Sequence, residues 1–403
     1  MQNRVLDRLW TRSYILLCIA TFLMSFSFFL LVPTLPFYLV QKMGVAQELV
    51  GPVLSCYVVA VLCVRPFAGF VADMFKRKQV YIISYMLFAV AFLGYLIVRS
   101  NLLLFVLLRI FHGFAFGALN TTGNTLVIDI MPSSRRGEGL GYFGVMNNLA
   151  MAFGPMVGLF IISGGDYMML FAVSLLFACV GLCLGTLVKA PNRTPAKKVN
   201  AVISIDRFFM IEGLPACFSL FLLAIPYGMT TSYMAMYAAE SGITSHSGLF
   251  FTVMAFGLIV SRLISGKKVD RGMVTQTIRN GMFIALLGVA GEALLSLVAA
   301  HNLLMGYSLY FASAMLVGYG FGTMFPAFNT LFVSMAPNSR RATANATYLT
   351  GWDVGIGCGM LLGGNVAGVG YAICFMLGAV LVIVSLLFFV AYVTRHYNSH
   401  KVH

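Results

Sequence analysis

Long apolar runs alternate with short polar islands along almost the whole chain. A helix that crosses the hydrocarbon core of a bilayer needs about 20 mostly apolar residues. The longest polar interval, 191–212, lies near the centre of the chain and predicts a linker between two halves. By the length criterion the sequence predicts twelve membrane-spanning helices, at residues 13–39, 48–70, 79–98, 102–129, 140–162, 167–189, 213–238, 246–266, 275–298, 303–333, 344–365 and 369–393.

The composition supports a membrane protein and argues against a soluble enzyme. Hydrophobic residues make up 60% of the 403 positions and charged residues 9%, whereas soluble domains carry about 25% charged residues. The eight cysteines lie mostly within apolar runs, so we interpret them as small buried residues rather than metal ligands. Because the sequence holds no nucleotide-binding motif and no catalytic constellation, we expect neither an enzyme nor a bound metal or other cofactor.

The distribution of the net charge of +14 predicts the orientation of the chain. With the N-terminus placed in the cytoplasm, 22 of the 26 Lys and Arg residues fall in cytoplasmic segments. Because cytoplasmic loops are rich in Lys and Arg, we expect both termini inside. Charge spread over loops does not form the clustered basic face of a nucleic-acid-binding protein. The short, loop-poor chain favours a bacterial inner membrane, and we expect a monomer surrounded by lipid.

Two alignments of the chain with itself reveal an internal repeat. At an offset of 197 residues, Arg65, Gly69 and Asp73 match Arg262, Gly266 and Asp270. At an offset of 205, the tripeptide at 124–126 matches that at 329–331, and Gly154 and Gly158 match Gly359 and Gly363. Parallel repeats of six spans predict two pseudo-symmetric six-helix bundles, 1–190 and 213–403, joined by the cytoplasmic linker 191–212. Alternatives are a repeat that serves packing alone and the duplicated halves of a channel.

The loop after the second predicted span reads Gly69-Phe-Val-Ala-Asp73-Met-Phe-Lys76-Arg77-Lys78. This loop resembles the signature loop of the major facilitator superfamily, G-x-x-x-D-R-x-G-R-R/K, with Met74 and Lys76 at the family's usual Arg and Gly. The second-half copy, Gly266-Lys-Lys-Val-Asp270-Arg271, keeps the Asp-Arg pair. The resemblance covers essentially the whole chain. It implies an all-α membrane protein with twelve transmembrane helices in the major facilitator fold.

A second pair of motifs is most similar to the twelve-span drug:proton antiporters of that family. Gly154-Pro155-Met-Val-Gly158 resembles the core of their antiporter motif, with Ala150 and Leu159 at its outer glycines. Arg109, followed by Gly113, resembles the family's arginine linked to proton transfer. The resemblance implies export of small lipophilic or cationic compounds, driven by the proton gradient and without a cofactor. Alternatives are a proton-coupled symporter, a specific metabolite exporter, or a non-transport receptor or scramblase on the same scaffold.

Four ionisable residues at membrane depth are candidates for proton coupling. A charge at the bilayer centre costs about 2.5–3.5 kcal/mol, so such a residue persists with a partner or a function. Asp353 lies near the middle of the eleventh span, and Arg109 and His112 lie one turn apart in the fourth. Glu292 lies towards the outer end of the ninth span. The alternatives are a structural hydrogen bond for Asp353, packing for His112 and an interfacial carboxylate in water for Glu292.

The loop motifs also predict a gate, and four spans predict a cavity. By resemblance, Arg77 pairs with Asp129 and Asp73 faces the start of span 11, so that the motif forms a latch between bundles. The proposed latch set is Arg65, Gly69, Asp73, Arg77, Asp129, Glu138, Arg262, Gly266, Asp270 and Arg271; its alternative is ordinary loop charge. By resemblance, spans 1, 4, 7 and 10 line the substrate cavity and offer Phe28, Asn120, Tyr227, Tyr233, Tyr237, Tyr319 and Phe325. Aromatic faces suit bulky apolar or cationic ligands.

Overall fold

The computed structural model describes residues 8–98, 101–132, 135–190, 210–244, 247–336 and 341–402. Residues 191–209 of the predicted linker lie outside these ranges. The side chains of Asp73, Glu138 and Asp270, which belong to the predicted latch, also lie outside the described part. Within the described ranges every regular element is helical.

Twelve long helices account for the predicted spans, counted over the described ranges. Most predicted ends agree with the structure to within a few residues. The helices are α1 Arg12–Phe29, α2 Gln47–Met74, α3 Arg77–Ile97, α4 Leu102–Ile130, α5 Arg136–Ile162, α6 Tyr167–Leu187, α7 Leu214–Glu240, α8 Leu249–Asp270, α9 Val274–Ala293, α10 Leu303–Ser334, α11 Arg341–Ala367 and α12 Tyr371–Phe388.

Ten of the described helices are long and apolar enough to cross a membrane. An eleventh span is obtained when α9 is joined to the short helix Leu295–His301, which is bent from it by 49°. The remaining predicted span, 344–365, is the helix α11. Its many threonines, glycines and asparagines, together with Asp353, make α11 less apolar than its neighbours.

Two predicted spans are interrupted in the structure. The predicted span 13–39 is wrong as one continuous helix, because α1 ends at Phe29 and the chain turns before the short helix Leu35–Phe37. Pro33 and Pro36 lack the backbone N–H that a continuing helix needs. The predicted span 275–298 breaks at Leu294, and here a side chain enters the hydrogen-bond ladder: the Ser296 N–H donates to the Tyr237 hydroxyl, 3.1 Å away.

The described residues divide into two compact units. The first comprises those within Met1–Tyr38 and Val59–Asn200, and the second those within Leu39–Val58 and Ala201–His403. In the first unit α1 packs on α5 and α6, and α3 packs on α4 and α6. In the second unit α7 packs on α11 and α12, and α9 packs on α10 and α12. These equivalent pairings give each unit the same internal plan, while the predicted bundle boundaries at 190 and 213 stay a prediction.

Glycines let the paired helices approach closely in both units. A Cβ added to Gly154 of α5 would lie 2.7 Å from the Phe29 Cβ, and one added to Gly158 would overlap the Leu30 carbonyl oxygen. The repeat-equivalent Gly359 and Gly363 of α11 lie against α7 in the same way. Helix α5 runs through Pro155 without ending. The antiporter-like motif therefore serves helix packing in this conformation.

A further close approach brings the start of α2 onto α11 within the second unit. A Cβ added to Gly51 would lie 2.6 Å from the Leu361 carbonyl oxygen and 2.8 Å from that of Met360. Nearby, the Gln47 amide donates to the Tyr371 hydroxyl over 2.8 Å. These contacts explain why Leu39–Val58 belongs with the second unit.

Candidate functional site

An aromatic cluster lies inside the second unit, where α7, α10 and α11 meet. The Tyr227 ring lies 4.9 Å from that of Trp352 and 4.8 Å from that of Phe321, centroid to centroid. Phe325 packs edge-on against Trp352 at 4.1 Å. Tyr227, Phe321 and Phe325 are buried, whereas Trp352 is half-buried and keeps part of its ring accessible. The structure thus brings together Tyr227 and Phe325, which sequence reasoning named, with Phe321 and Trp352, which it missed.

Ionisable side chains border the aromatic cluster. Asp353 directly follows Trp352 on α11 and is half-buried. Tyr348, one turn earlier on α11, lies within electrostatic range of both Asp353 and Arg262 of α8. Arg262 also lies within range of Tyr227. Aromatic faces attract cations, and a carboxyl can bind or release a proton, so groups of both kinds lie near one another at this site. The adjacency of a rare tryptophan to an in-membrane aspartate is the signal that could have pointed to Trp352.

A second polar cluster is buried in the first unit, between α3 and α4. Arg109 is 3% exposed, and its guanidinium donates to the Tyr95 hydroxyl at 3.4 Å. The same hydroxyl lies 3.1 Å from the His112 Nδ1 atom. Phe88 and Phe92 pack on the His112 ring at centroid distances of 5.1 and 5.0 Å. The predicted Arg109 and His112 are therefore joined through Tyr95, which the sequence did not single out.

A small pocket of the first unit, lined by both polar and apolar residues, contains the predicted Asn120. The Asn124 amide donates to the Asn120 side-chain oxygen over 2.9 Å. Both line the pocket with Thr21 and Tyr81. Tyr81 is buried, and its hydroxyl has no hydrogen-bond partner in the described part of the chain. Phe28, also predicted, instead stacks on Phe116 at 4.7 Å. The pocket is small and its surface is mostly apolar; its polar atoms come from Thr21, Tyr81 and the two asparagines.

Two of the predicted cavity tyrosines do not line open space. Tyr233 donates to the Met360 carbonyl oxygen over 2.7 Å, and Tyr237 accepts from the Ser296 N–H. Each side chain is 1% exposed. Backbone groups of the second unit bond to both hydroxyls in this structure, and the assignment of the two tyrosines to a substrate cavity stays a prediction. Tyr319 is half-buried on α10.

One ion pair of the predicted latch set is found in the first unit. One Arg77 nitrogen donates to both Asp129 carboxylate oxygens, at 2.8 and 2.9 Å, and so ties the start of α3 to the end of α4. Arg65 is half-buried and Arg271 is exposed. A Cβ added to Gly69 or Gly266 would meet no atom within 4 Å. The Arg77–Asp129 pair is as expected, and its gating role stays a prediction.

Glu292 occupies a different environment from the one considered for an interfacial carboxylate. It is fully buried in the second unit, and one of its oxygens accepts a hydrogen bond from the Thr230 hydroxyl at 2.8 Å. The alternative of a carboxylate in interfacial water is therefore wrong, because neighbouring helices cover the side chain. Among the described residues no group of three His, Cys, Asp or Glu side chains could hold a metal ion.

Comparison with known proteins shows which fold and family this architecture belongs to. A solved peptide transporter, POT, superposes with a TM-score of 0.78 at 14% identity and covers 96% of this chain and 95% of its own. The fold and the two like units define a multi-pass α-helical membrane protein. The family model of the Major Facilitator Superfamily matches residues 17–312 and 279–403, and the chain belongs to that family. The predicted family and fold class are confirmed.

Two curated relatives are exporters or resistance proteins. The staphylopine export protein of Staphylococcus aureus (strain Mu50 / ATCC 700699) is 23% identical over 361 residues, which cover 86% of this chain and 89% of the relative. The quinolone resistance protein NorA of the same species is 27% identical over 137 residues, 34% of this chain and 35% of NorA. These likenesses make this chain a transporter with relatives among efflux proteins.

Proposed function

We propose that this protein is a proton-coupled secondary transporter that exports small lipophilic or cationic compounds by alternating access. The observation that carries the proposal is the aromatic cluster of Tyr227, Phe325 and Trp352 beside Asp353. Cations bind to aromatic faces with about 0.5–2 kcal/mol each. Asp353 takes up a proton when the substrate leaves and gives it up when the next substrate arrives, so that proton and substrate exchange.

Orientation and energy source belong to the same proposal. Both termini lie in the cytoplasm of a bacterial cell and the chain works as a monomer in the inner membrane, driven by the proton gradient without a cofactor. The excess of Lys and Arg in alternate loops supports this orientation. Relatedness to NorA over part of the chain supports efflux of drug-like compounds.

The proposal is tested in vesicles that contain the purified protein and a lipophilic cationic dye. An imposed proton gradient is expected to drive dye against its concentration gradient, and the dye is expected to drive protons the other way. Asp353→Asn is expected to abolish uphill transport and retain dye binding. Asp166→Asn, at the exposed N-cap of α6, is the matched control and is expected to behave like the wild type.

Three outcomes contradict the proposal. Dye uptake in the direction of proton entry indicates a symporter. Unchanged uphill transport in Asp353→Asn removes this carboxyl from the coupling step. Absence of proton movement with a broad panel of compounds favours a receptor or scramblase instead.

A second candidate function is export of one polar metabolite. Relatedness to the staphylopine export protein over most of both chains favours it, and Asn120, Asn124 and Tyr81 would offer polar contacts to such a compound from the small pocket of the first unit. Tyr81→Phe removes one hydroxyl and keeps the ring. Loss of export of a polar compound in this variant, with dye transport unchanged, would favour the metabolite exporter.

A further inference from the structure

The buried carboxyl of Glu292 accepts one hydrogen bond in the described part of the chain. Its Oε2 accepts from the Thr230 hydroxyl of α7. Its Oε1 is buried and has no hydrogen-bond partner in the described part of the chain. An ionised carboxylate removed from water is costly unless it is paired and hydrogen-bonded. An acid that carries a proton avoids that cost, so the site as built suits a carboxyl that binds a proton.

The groups that face Glu292 from neighbouring helices are uncharged. From α7, α10 and α12 the titratable groups within electrostatic range are Tyr237, Tyr310 and Cys374. No Lys, Arg or His of the described part contributes to the environment of this carboxyl. A structural ion pair is thus not the reason for a glutamate at this place.

The helix that carries Glu292 ends directly after this residue. Helix α9 ends at Ala293, and the axis of the next helix is bent by 49° from that of α9. In a continuous helix the Ser296 N–H would donate to the Glu292 carbonyl, but at the break it donates to the Tyr237 hydroxyl instead. Two hydrogen bonds therefore tie this segment to α7: one joins Thr230 to the Glu292 carboxyl, and the other joins the Ser296 N–H beyond the break to Tyr237.

The internal repeat gives this position a counterpart in the first unit. Helix α3 begins at Arg77 and α9 at Val274, at the offset of 197 residues that also relates Tyr95 to Glu292. Tyr95 joins Arg109 and His112 in the buried cluster of the first unit. Equivalent positions of the two units thus hold a buried polar centre, with basic neighbours in the first unit and a carboxyl in the second.

We propose that Glu292 is a proton-binding site of the second unit, separate from the aromatic cluster, and that Thr230 transmits its state to α7. Thr230 lies one turn after Tyr227 on α7, so the hydrogen bond joins the proton site to the helix that carries the aromatic cluster. The proton comes from water on one side of the membrane, binds a carboxylate oxygen, and returns to water on the other side; no other bond forms or breaks. This inference rests on the proposed proton coupling and adds a second carboxyl to it.

The test compares three variants of the full-length protein in vesicles. Glu292→Gln holds the site in an uncharged form of nearly the same shape. The pH profile of its gradient-driven transport is expected to shift, and the number of protons moved per substrate is expected to fall by one because Asp353 alone remains, while substrate exchange without a gradient continues. Thr230→Val is expected to shift the pH profile, and Thr230→Ser to restore it.

The matched control removes a buried hydrogen bond that involves no titratable group. Ser219 of α7 and Ser385 of α12 are linked at 2.8 Å and are both buried, and Ser385→Ala is expected to leave the pH profile and the proton count unchanged. A Glu292→Gln protein with an unaltered pH profile and proton count overturns the inference, even if Asp353→Asn still abolishes coupling. If Glu292→Gln does not fold, an unshifted profile in Thr230→Val overturns it instead. Absence of gradient-driven transport in the wild type contradicts the proposed function as a whole.

Discussion

Replacing Gly364 by alanine is expected to separate the start of α2 from α11. A Cβ at this position would overlap the backbone N and Cα atoms of Gly51 and would lie 2.9 Å from the Tyr233 hydroxyl oxygen. Backbone atoms cannot rotate away as a flexible side chain can, so the two helices must move apart. Overpacking of this kind costs about 1–3 kcal/mol. A cost of that size changes the ratio of two conformations by about 5- to 150-fold.

The opposite side of the same contact supplies an internal check. Gly51→Ala would place its Cβ 2.6 Å from the Leu361 carbonyl oxygen and 3.1 Å from the Gly364 Cα. Either substitution alone is expected to open the contact. Once it is open, the second substitution has nothing left to strain, so the double variant is expected to shift the populations by less than the product of the two single effects.

Pulsed electron–electron double resonance measures the populations of the closed and open forms of this helix contact. Spin labels at Leu49 and Val369, both exposed, report the separation in a background without accessible native cysteines. Gly364→Ala is expected to move population from a short to a long distance. Gly144→Ala is the control, because its Cβ meets no atom within 4 Å and alanine favours a helix by about 1 kcal/mol over glycine. An unchanged distance distribution in Gly364→Ala would refute the argument from helix contact.

Three further predictions follow from the site. Trp352→Leu is expected to weaken binding of a cationic substrate by about 2- to 30-fold, since a cation–π contact contributes about 0.5–2 kcal/mol; equilibrium binding measures this, and equal loss for a neutral substrate would contradict it. Arg77→Gln is expected to lower the free energy of unfolding by about 1–3 kcal/mol because Asp129 loses its partner. Adding Asp129→Asn to this variant is expected to recover part of the loss, and thermal unfolding of the single and double variants measures both effects. Tyr81→Phe is expected to leave the melting temperature unchanged or raise it, because the hydroxyl it removes is buried and unpaired in the described part.

Helix number and type followed from the apolar runs, since each run is long enough to form a span. What composition could not predict was where a helix stops inside such a run. The break after Ala293 depends on the Tyr237 hydroxyl of another helix, and such a contact between distant residues leaves no local pattern. By contrast, the end of α1 before Pro33 and Pro36 could have been predicted from the prolines themselves.

The residues of the candidate site also differ in whether the sequence alone could identify them. Asp353, Arg109 and Glu292 were identifiable as costly charges in apolar runs. Tyr95 was not, because one buried tyrosine in an aromatic-rich chain resembles any packing residue until its contact with Arg109 is known. The burial of Glu292 likewise depends on which neighbouring helices cover it, and its sequence position near a span end favoured water instead.

The two units are alike where they pack and differ where they carry charge. Gly154 and its equivalent Gly359 hold α5 and α11 against α1 and α7 in the same manner, so duplication supplied the scaffold. The repeat equivalent of Asp353 is Asn148, and that of Glu292 is Tyr95, neither of which can replace a carboxyl in binding a proton near neutral pH. If protons drive this transporter, both proposed proton-binding carboxyls, Asp353 and Glu292, therefore lie in the second unit. The first unit holds the buried basic residues Arg109 and His112 instead. Exchanging the pair, with Asn148→Asp and Asp353→Asn together, tests whether that asymmetry matters: restored coupling would mean that one central carboxyl in either unit suffices, whereas its loss locates the function in the second unit.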